Sequence, residues 1–354
     1  MKSGKARILL VSPMPPAMGG ISVSSARLRD NLTADGYEVE VYDINSTSKL
    51  LPLGFHKLIN MLWVPFYVLL NPRFDIVHFH VSSYWRRVWL WLTRFCFVRV
   101  KTVVTVHGDV KYYLRKPLSS LVMGFGDHII CVRQGDSALL PDRVRGKASD
   151  IPAFILPPDI DSLTLPDYVE RFVAGTVESG LPLVVFNGGL VLMPDCYDLY
   201  GFNDVVDLLD KADAEGIGYR AIIVVNNSVF DRQQSEFLSR IESRLSGRGN
   251  ILLCANTNFS LLPIFRQPGT VYVRPTKTDG DSLSIREALA LGARVVASDA
   301  VIRPDKVICY RHSDINDFFD KFKLALSRNS DAGAGSNNDF YCRIAEVYST
   351  LLSI

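Results

Sequence analysis

Short runs of β-branched and apolar residues recur along the chain with amphipathic stretches between them, an alternation that predicts parallel strands joined by helical crossovers. In the first half the predicted strands are Arg7–Ser12, Glu38–Tyr42, Ile76–His80, Thr102–His107 and His128–Val132, with Ser22–Asp35 the clearest helix. In the second half Leu183–Asn187, Ala221–Val225, Ile251–Ala255, Thr270–Val273 and Arg294–Ser298 repeat the rhythm, with helices at Asn203–Glu215, Arg232–Leu245 and Leu283–Leu291. Two doubly wound α/β units are expected. Prolines and turn residues cluster within Ile151–Pro182, which places residues 1–165 in a first domain and 175–338 in a second, with a last helix over 339–354.

Two stretches break the pattern by being unusually apolar: Leu58–Leu70 (LINMLWVPFYVLL) and Val88–Val98 (VWLWLTRFCFV). Both fall short of the roughly 20 residues that span a bilayer. They read either as buried helices of the first domain or as an interfacial surface, with Trp63 and Trp89 at headgroup depth and Arg86 and Arg87 beside them. Charge favours the surface. The net charge is only +2, too little for a dedicated nucleic-acid binder, but residues 1–150 carry 20 Lys and Arg against 11 Asp and Glu, whereas 151–354 carry 19 against 26. A basic half beside an acidic half points to an anionic partner, such as a membrane face or a phosphorylated substrate. A length of 354 residues, 48% of them hydrophobic, excludes wholesale disorder and a lone small module. The six cysteines form no CxxC or metal spacing and fit reduced thiols in the cytoplasm, and the apolar run in MKSGKARILLVSPMPP is too short for a signal peptide.

Three places carry candidate chemistry. After the first strand, Gly19 and Gly20 precede a helix, where free amides and the dipole favour an anion. There is no GxGxxG and no GxxxxGK[ST], so neither a dinucleotide fingerprint nor a P-loop is present. In Val273–Asp299 a strand ends, a polar loop follows and Ser282 or Ser284 can cap the next helix. The amides of Asp281, Ser282, Leu283 and Ser284, with Gly280 alongside, are placed to hold a diphosphate, and Glu287, one turn in, to bond vicinal hydroxyls such as those of a ribose. Asp279 lies on the loop side, so two carboxylates would flank one ligand. Finally, His78, His80 and His107 fall at the C-terminal ends of predicted strands, the edge at which open α/β sheets bind ligands, with Asp109 close to His107.

PPAMGG with its following helix, DIVHFH, TVVTVHGD, GDHIICVRQGDSALL, the FNGGL strand containing Gly188, and DGDSLSIREALALGARVVAS together resemble the GT-B glycosyltransferases of family 4, over almost the whole chain. The resemblance implies a GT-B fold, two Rossmann-like domains facing a central cleft, with the last helix crossing back to the first. It implies a nucleotide-diphosphate sugar as donor, transfer to a glycan acceptor with retention of configuration, and no cofactor or metal. Asp279 and Glu287 take the two acidic positions of the family's donor motif. Glu287 would grip the ribose, Asp279 would contact the sugar, and His107 with His80 would line the acceptor side. Bacterial surface polysaccharide synthesis, a lipid-linked acceptor and a peripheral position on the inner face of the cytoplasmic membrane follow as expectations.

This chain departs from the pattern in three ways. Asp279 stands where Glu is usual. Gly189 and Tyr200 occupy positions where the family carries the Arg and Lys that neutralise the leaving diphosphate; Lys277, Arg274 and Arg303 are the nearest substitutes in sequence, Lys277 the preferred one. The missing charges keep open a catalytically inactive scaffold that binds nucleotide sugar or glycan. Asp279-Gly280-Asp281, formally a DxD, keeps open a metal-dependent transferase.

Overall fold

The computed structural model describes residues 6–15, 20–45, 53–80, 83–108, 110–193, 198–226, 229–255, 259–279, 282–327 and 339–353, with only the backbone over 53–58. Gly19, Asp109, Gly280 and Asp281 lie outside the described residues. The chain forms two compact units, Met1–Pro158 with Asn338–Ile354, and Asp159–Asn337.

In the first unit β1 (Arg7–Ser12), β2 (Glu38–Asp43), β3 (Ile76–His80), β4 (Lys101–Val106), β5 (His128–Cys131) and β6 (Ala148–Asp150) form a parallel sheet in the order β2-β1-β3-β4-β5-β6. Its helices are α1 (Gly20–Ala34), α2 (Leu53–Leu70), α3 (Tyr84–Leu92), the short α4 (Val110–Leu114), α5 (Ser119–Val122) and α6 (Asp142–Arg145), and, arriving from far along the chain, α13 (Asp339–Ser353). Successive strand residues point to opposite faces, and both faces are covered. Leu9 and Val11 pack with Val64 and Val68 of α2, whereas Ile8 and Leu10 pack with Leu28 of α1 and Ile344 and Tyr348 of α13. Three side chains of α1 hold the segment leading out of the unit: Ser24, Arg27 and Asn31 donate to the carbonyls of Ala153, Ile155 and Leu156 at 2.6, 3.0 and 2.9 Å.

The second unit contains β7 (Leu183–Gly188), β8 (Arg220–Val225), β9 (Ile251–Cys254), β10 (Val271–Arg274), β11 (Arg294–Ser298) and β12 (Ile308–Tyr310), all parallel, in the order β12-β11-β10-β7-β8-β9. Helices α7 (Asp167–Ser179), α8 (Phe202–Ala214), α9 (Arg232–Leu245), α10 (Leu262–Phe265), α11 (Leu283–Ala290) and α12 (Ile315–Ser327) clothe it. Val184 and Phe186 face α8, α9 and α12; Leu183, Val185 and Tyr272 face α7, α10 and α11. In each sheet the strand order reverses once, between β1 and β3 and between β7 and β10. Such switch points open a crevice at the carboxyl ends of the strands.

Two strands escape the sequence reading, β6 and β12, each three residues long and too short to register as a run, and so do the helices α7, which lies within the stretch read as the boundary, and α12. The apolar segments are helical but not as expected. On α2 the residues at 61, 64 and 68 are buried, while Ile59, Leu62, Trp63, Phe66, Leu69 and Leu70 form an exposed stripe at helical spacing. Trp63 is 52% exposed and stays a surface residue. Arg87, expected beside it, is 2% exposed and instead lies over the Tyr113 ring at 4.9 Å with Nη2 donating to the Thr105 carbonyl at 3.4 Å. It is a core residue, because one step along a helix turns the side chain by about 100° and separates it from Arg86. Arg86 and Trp89 are half-buried, the Trp89 indole nitrogen enclosed. The exposed apolar side chains of this region are Trp85, Leu92, Phe95 and Val98.

Candidate functional site

The site grows from the second switch point. β7 ends in Asn187 and Gly188 and β10, beside it, ends in Arg274. Gly188 is required by contact: a Cβ there would sit 2.8 Å from that of Tyr200. Tyr200, standing where a Lys was expected, lies under the Arg274 guanidinium, 4.8 Å from ring centre to Cζ. Arg274 Nη1 donates to the Asn187 carbonyl at 2.9 Å and Nε to Asp279 Oδ2 at 3.2 Å. From the loop after β11, Arg303 Nη1 reaches the same Oδ2 at 3.3 Å, and its Nε donates to the Ser298 carbonyl at 3.0 Å. Both guanidiniums are almost wholly buried. Burial alone would lower the Arg274 pKa, but the neighbouring Tyr272, Asp279 and Tyr200 outweigh it and hold the group protonated, while burial leaves that of Arg303 lowered. Among the described residues the buried cations at this edge are Arg274 and Arg303. Lys277 is half-buried, its charge felt by His312.

The loop leads into α11, whose N-cap is Ser282. The Ser282 hydroxyl does not cap: its Oγ is buried without a hydrogen-bond partner among the described residues. Leu283 opens the helix, and Ser284 bonds the Tyr272 hydroxyl, which in turn donates to Asn187 Oδ1 at 2.7 Å. Glu287 is 8% exposed on the same helix, close enough for its charge to raise the Tyr272 pKa. The structure thus assembles Gly188, Ser282, Ser284, Asp279 and Glu287 from the sequence reading, together with Arg274 and Arg303, which the sequence offered as substitutes after Lys277, and adds Asn187 and Tyr272. Asp279 has its Oδ2 committed to two arginines, which the spacing of acidic residues did not reveal.

In the first unit Gly20 is exposed at the first residue of α1. His78 lies inside β3 with both ring nitrogens engaged, Nδ1 with the Tyr348 hydroxyl at 2.6 Å and Nε2 with Thr105 Oγ1 at 2.7 Å, so it is structural. His80 and His107 meet at the strand ends, Nδ1 of the first 2.9 Å from Nε2 of the second, and Nε2 of His80 is buried with no partner among the described residues. Burial pushes His80 down to about 3, and burial with neighbouring positive charge carries His78 and His107 well below the ordinary 6.5. The pair is neutral at pH 7. Between the folded and unfolded values the unfolded chain binds protons that the folded one does not, so this stability is complete above about pH 6.5 and is lost as the pH falls. Unfolding in urea, followed by tryptophan fluorescence, should lose up to about 1.4 kcal/mol per pH unit per histidine below pH 6.5. His80→Asn should flatten that slope, and an unchanged slope would contradict the assignment. All four tryptophans (Trp63, Trp85, Trp89, Trp91) lie in this unit, so the signal reports it alone.

Two doubly wound parallel sheets with these edges define the GT-B class of fold. Residues 18–151 match the family described as Glycosyltransferase Family 4. Solved structures agree over the whole chain. HepE from Anabaena, in complex with UDP-glucose, is 15% identical with a TM-score of 0.62, covering 98% of this chain and 100% of that one. An alpha,alpha-trehalose-phosphate synthase (UDP-forming) from Burkholderia xenovorans, with glucose-6-phosphate, is 16% identical at 0.63, covering 99% and 98%. Sucrose-phosphate synthase from Thermosynechococcus elongatus is 15% identical at 0.61, covering 99% and 97%. No curated protein matches the chain by sequence.

Proposed function

We propose that this protein is a glycosyltransferase that moves a sugar from a nucleoside-diphosphate donor to a lipid-linked glycan, in the synthesis of a bacterial surface polysaccharide. The observation that carries the reading is α11, whose N-terminus, with no side-chain cap among the described residues, lies at the switch point of the second sheet, with the buried Glu287 carboxylate one turn behind it. A carboxylate so placed suits the two hydroxyls of a ribose, and the amides suit a diphosphate. The match of residues 18–151 and the likeness to a fold solved with UDP-glucose support the same donor. In the reaction the acceptor hydroxyl bonds the anomeric carbon, the bond from that carbon to the diphosphate oxygen breaks, and the hydroxyl proton passes to the departing phosphate on the same face, giving retention. The protein supplies orientation and stabilises developing charge. His107, neutral and held by His80, offers a hydrogen bond on the acceptor side. No metal is invoked: two guanidiniums on Asp279 Oδ2 oppose a cation there.

Thermal shift with UDP, GDP, dTDP, ADP and CMP, each in chelator and with Mn²⁺, tests the donor site. One nucleotide should stabilise the protein in chelator by roughly 2.7 kcal/mol at 100 times its dissociation constant. Stabilisation by none overturns the reading, stabilisation only with metal overturns its metal-free form, and binding without transfer to any acceptor leaves the scaffold.

The lipid-linked acceptor and the inner membrane surface rest on the stripe of α2. The turn Arg94–Phe97 packs beside α2, and Phe95 and Val98 (58 and 77% exposed), Arg94 and Arg99 are exposed on it or just after it. No helix among the described residues is long and apolar enough to cross a membrane. Arg94→Ser with Arg99→Ser should weaken binding to vesicles containing anionic lipid by about 5-fold per charge, and Trp63→Ser with Phe66→Ser should weaken it further. Equal binding by all variants would return these side chains to ordinary surface.

A further inference from the structure

We propose that Arg274 and Arg303, with the free hydroxyl of Ser282, form the seat for the donor's diphosphate, and that Asp279 is the clamp that sets the two arginines rather than a contact to the sugar. The proposal rests on the donor reading above and says which side chains of this chain make it work.

Two cations share one carboxylate oxygen, Asp279 Oδ2, at 3.2 and 3.3 Å. They lie close enough that the charge of Arg274 lowers the pKa of Arg303. A single oxygen cannot satisfy two buried guanidiniums, and like charges held together out of water call for a further anion. Both arginines also bond their own strand ends: Arg274 Nη1 donates to the Asn187 carbonyl, Arg303 Nε to the Ser298 carbonyl and Nη2 to Ser298 Oγ at 3.3 Å. Arg274 Nη2 makes no hydrogen bond among the described residues. The free donor therefore lies at the end of β10, in the crevice beside β7. On the α11 side of the same loop, Ser282 holds a second unpartnered polar atom, nine-tenths buried, at the start of an eight-residue helix. A multiply charged, compact anion with several acceptor oxygens fits both gaps, and a diphosphate is such a group.

The charge that Gly189 and Tyr200 lack is thus supplied from elsewhere. Tyr200 gives its ring face to Arg274, so the side chain that stands where a lysine was expected supports one of the two cations of the seat. Asp279, one methylene shorter than the usual Glu, reaches Arg274 five residues back and Arg303 together.

Isothermal titration of the nucleoside diphosphate preferred by the whole protein, of its parent nucleoside and of inorganic pyrophosphate separates the possibilities. Arg274→Gln and Arg303→Gln should each weaken diphosphate and pyrophosphate binding by about 10- to 100-fold while leaving the nucleoside unchanged. Arg274→Lys, which keeps the charge but loses the fork, should fall between and serves if a Gln variant does not fold, as judged by circular dichroism. Asp279→Asn should weaken the diphosphate alone. Variants that keep the wild-type preference for diphosphate over nucleoside overturn this inference and leave the donor reading standing. A wild-type protein that binds neither overturns the donor reading itself.

Discussion

Glu287→Ala is expected to weaken binding of the preferred nucleoside diphosphate by about 100-fold, since two hydrogen bonds to a charged acceptor are lost at once. The loss should concentrate on the sugar of the nucleotide. Wild-type protein should prefer the ribose form of the nucleotide to its 2′-deoxy counterpart, and the Ala variant should bind both alike. Glu287→Gln keeps an acceptor at the same reach and should lie between. Calorimetry with the two nucleotides measures this, and a variant that still prefers the ribose form would remove Glu287 from the ribose. Glu287 is buried, so circular dichroism of the variant separates a loss of affinity from a loss of packing.

The other large effect is expected at Gly201. Its φ is +83°, and a Cβ there would lie 2.6 Å from Cγ of Pro275 and 2.9 Å from its Cβ. The left-handed backbone alone costs an alanine about 1–2 kcal/mol, and the contact with a ring on a strand-end loop adds to it. Gly201→Ala should destabilise the second unit by about 3 kcal/mol. Pro275 follows Arg274 directly, so donor binding should weaken as well. Far-UV circular dichroism should show the second unit melting earlier while tryptophan fluorescence, confined to the first unit, does not move. Coincident, unshifted melting by both signals would mean that the loop yields easily.

How far the sequence could be read depends on how local each signal is. The central strands were legible because both their faces are buried, which leaves unbroken apolar runs such as ILLVS in β1. β6 and β12 were not, since three edge residues carry no period. The α11 motif was legible because its parts are adjacent in sequence. Arg274, Asp279 and Arg303 were each named from sequence, but their meeting at one carboxylate oxygen was not legible, because that geometry is made by the ends of two neighbouring strands. Arg87 misled for the opposite reason. It sits among tryptophans in YWRRVWLWL, but neighbours in sequence face different ways on a helix, and only the fold shows that Arg86 and Arg87 part company. On α2 the composition was apolar all round, so only burial could separate the inward residues 61, 64 and 68 from the outward Trp63 and Phe66.

The bond between His78 and Tyr348 sets the order in which the molecule can be completed during synthesis. His78 lies at the heart of the first sheet, yet its hydroxyl partner belongs to α13, which follows the whole of the second unit in the chain. Until α13 emerges from the ribosome, the face of β1 bearing Ile8 and Leu10 lacks Ile344 and Tyr348, and an imidazole nitrogen lacks its partner. Domains otherwise tend to fold in the order they are made. Here the first to be translated is the last to close, and the nascent protein must carry an unfinished apolar face through the synthesis of its second half.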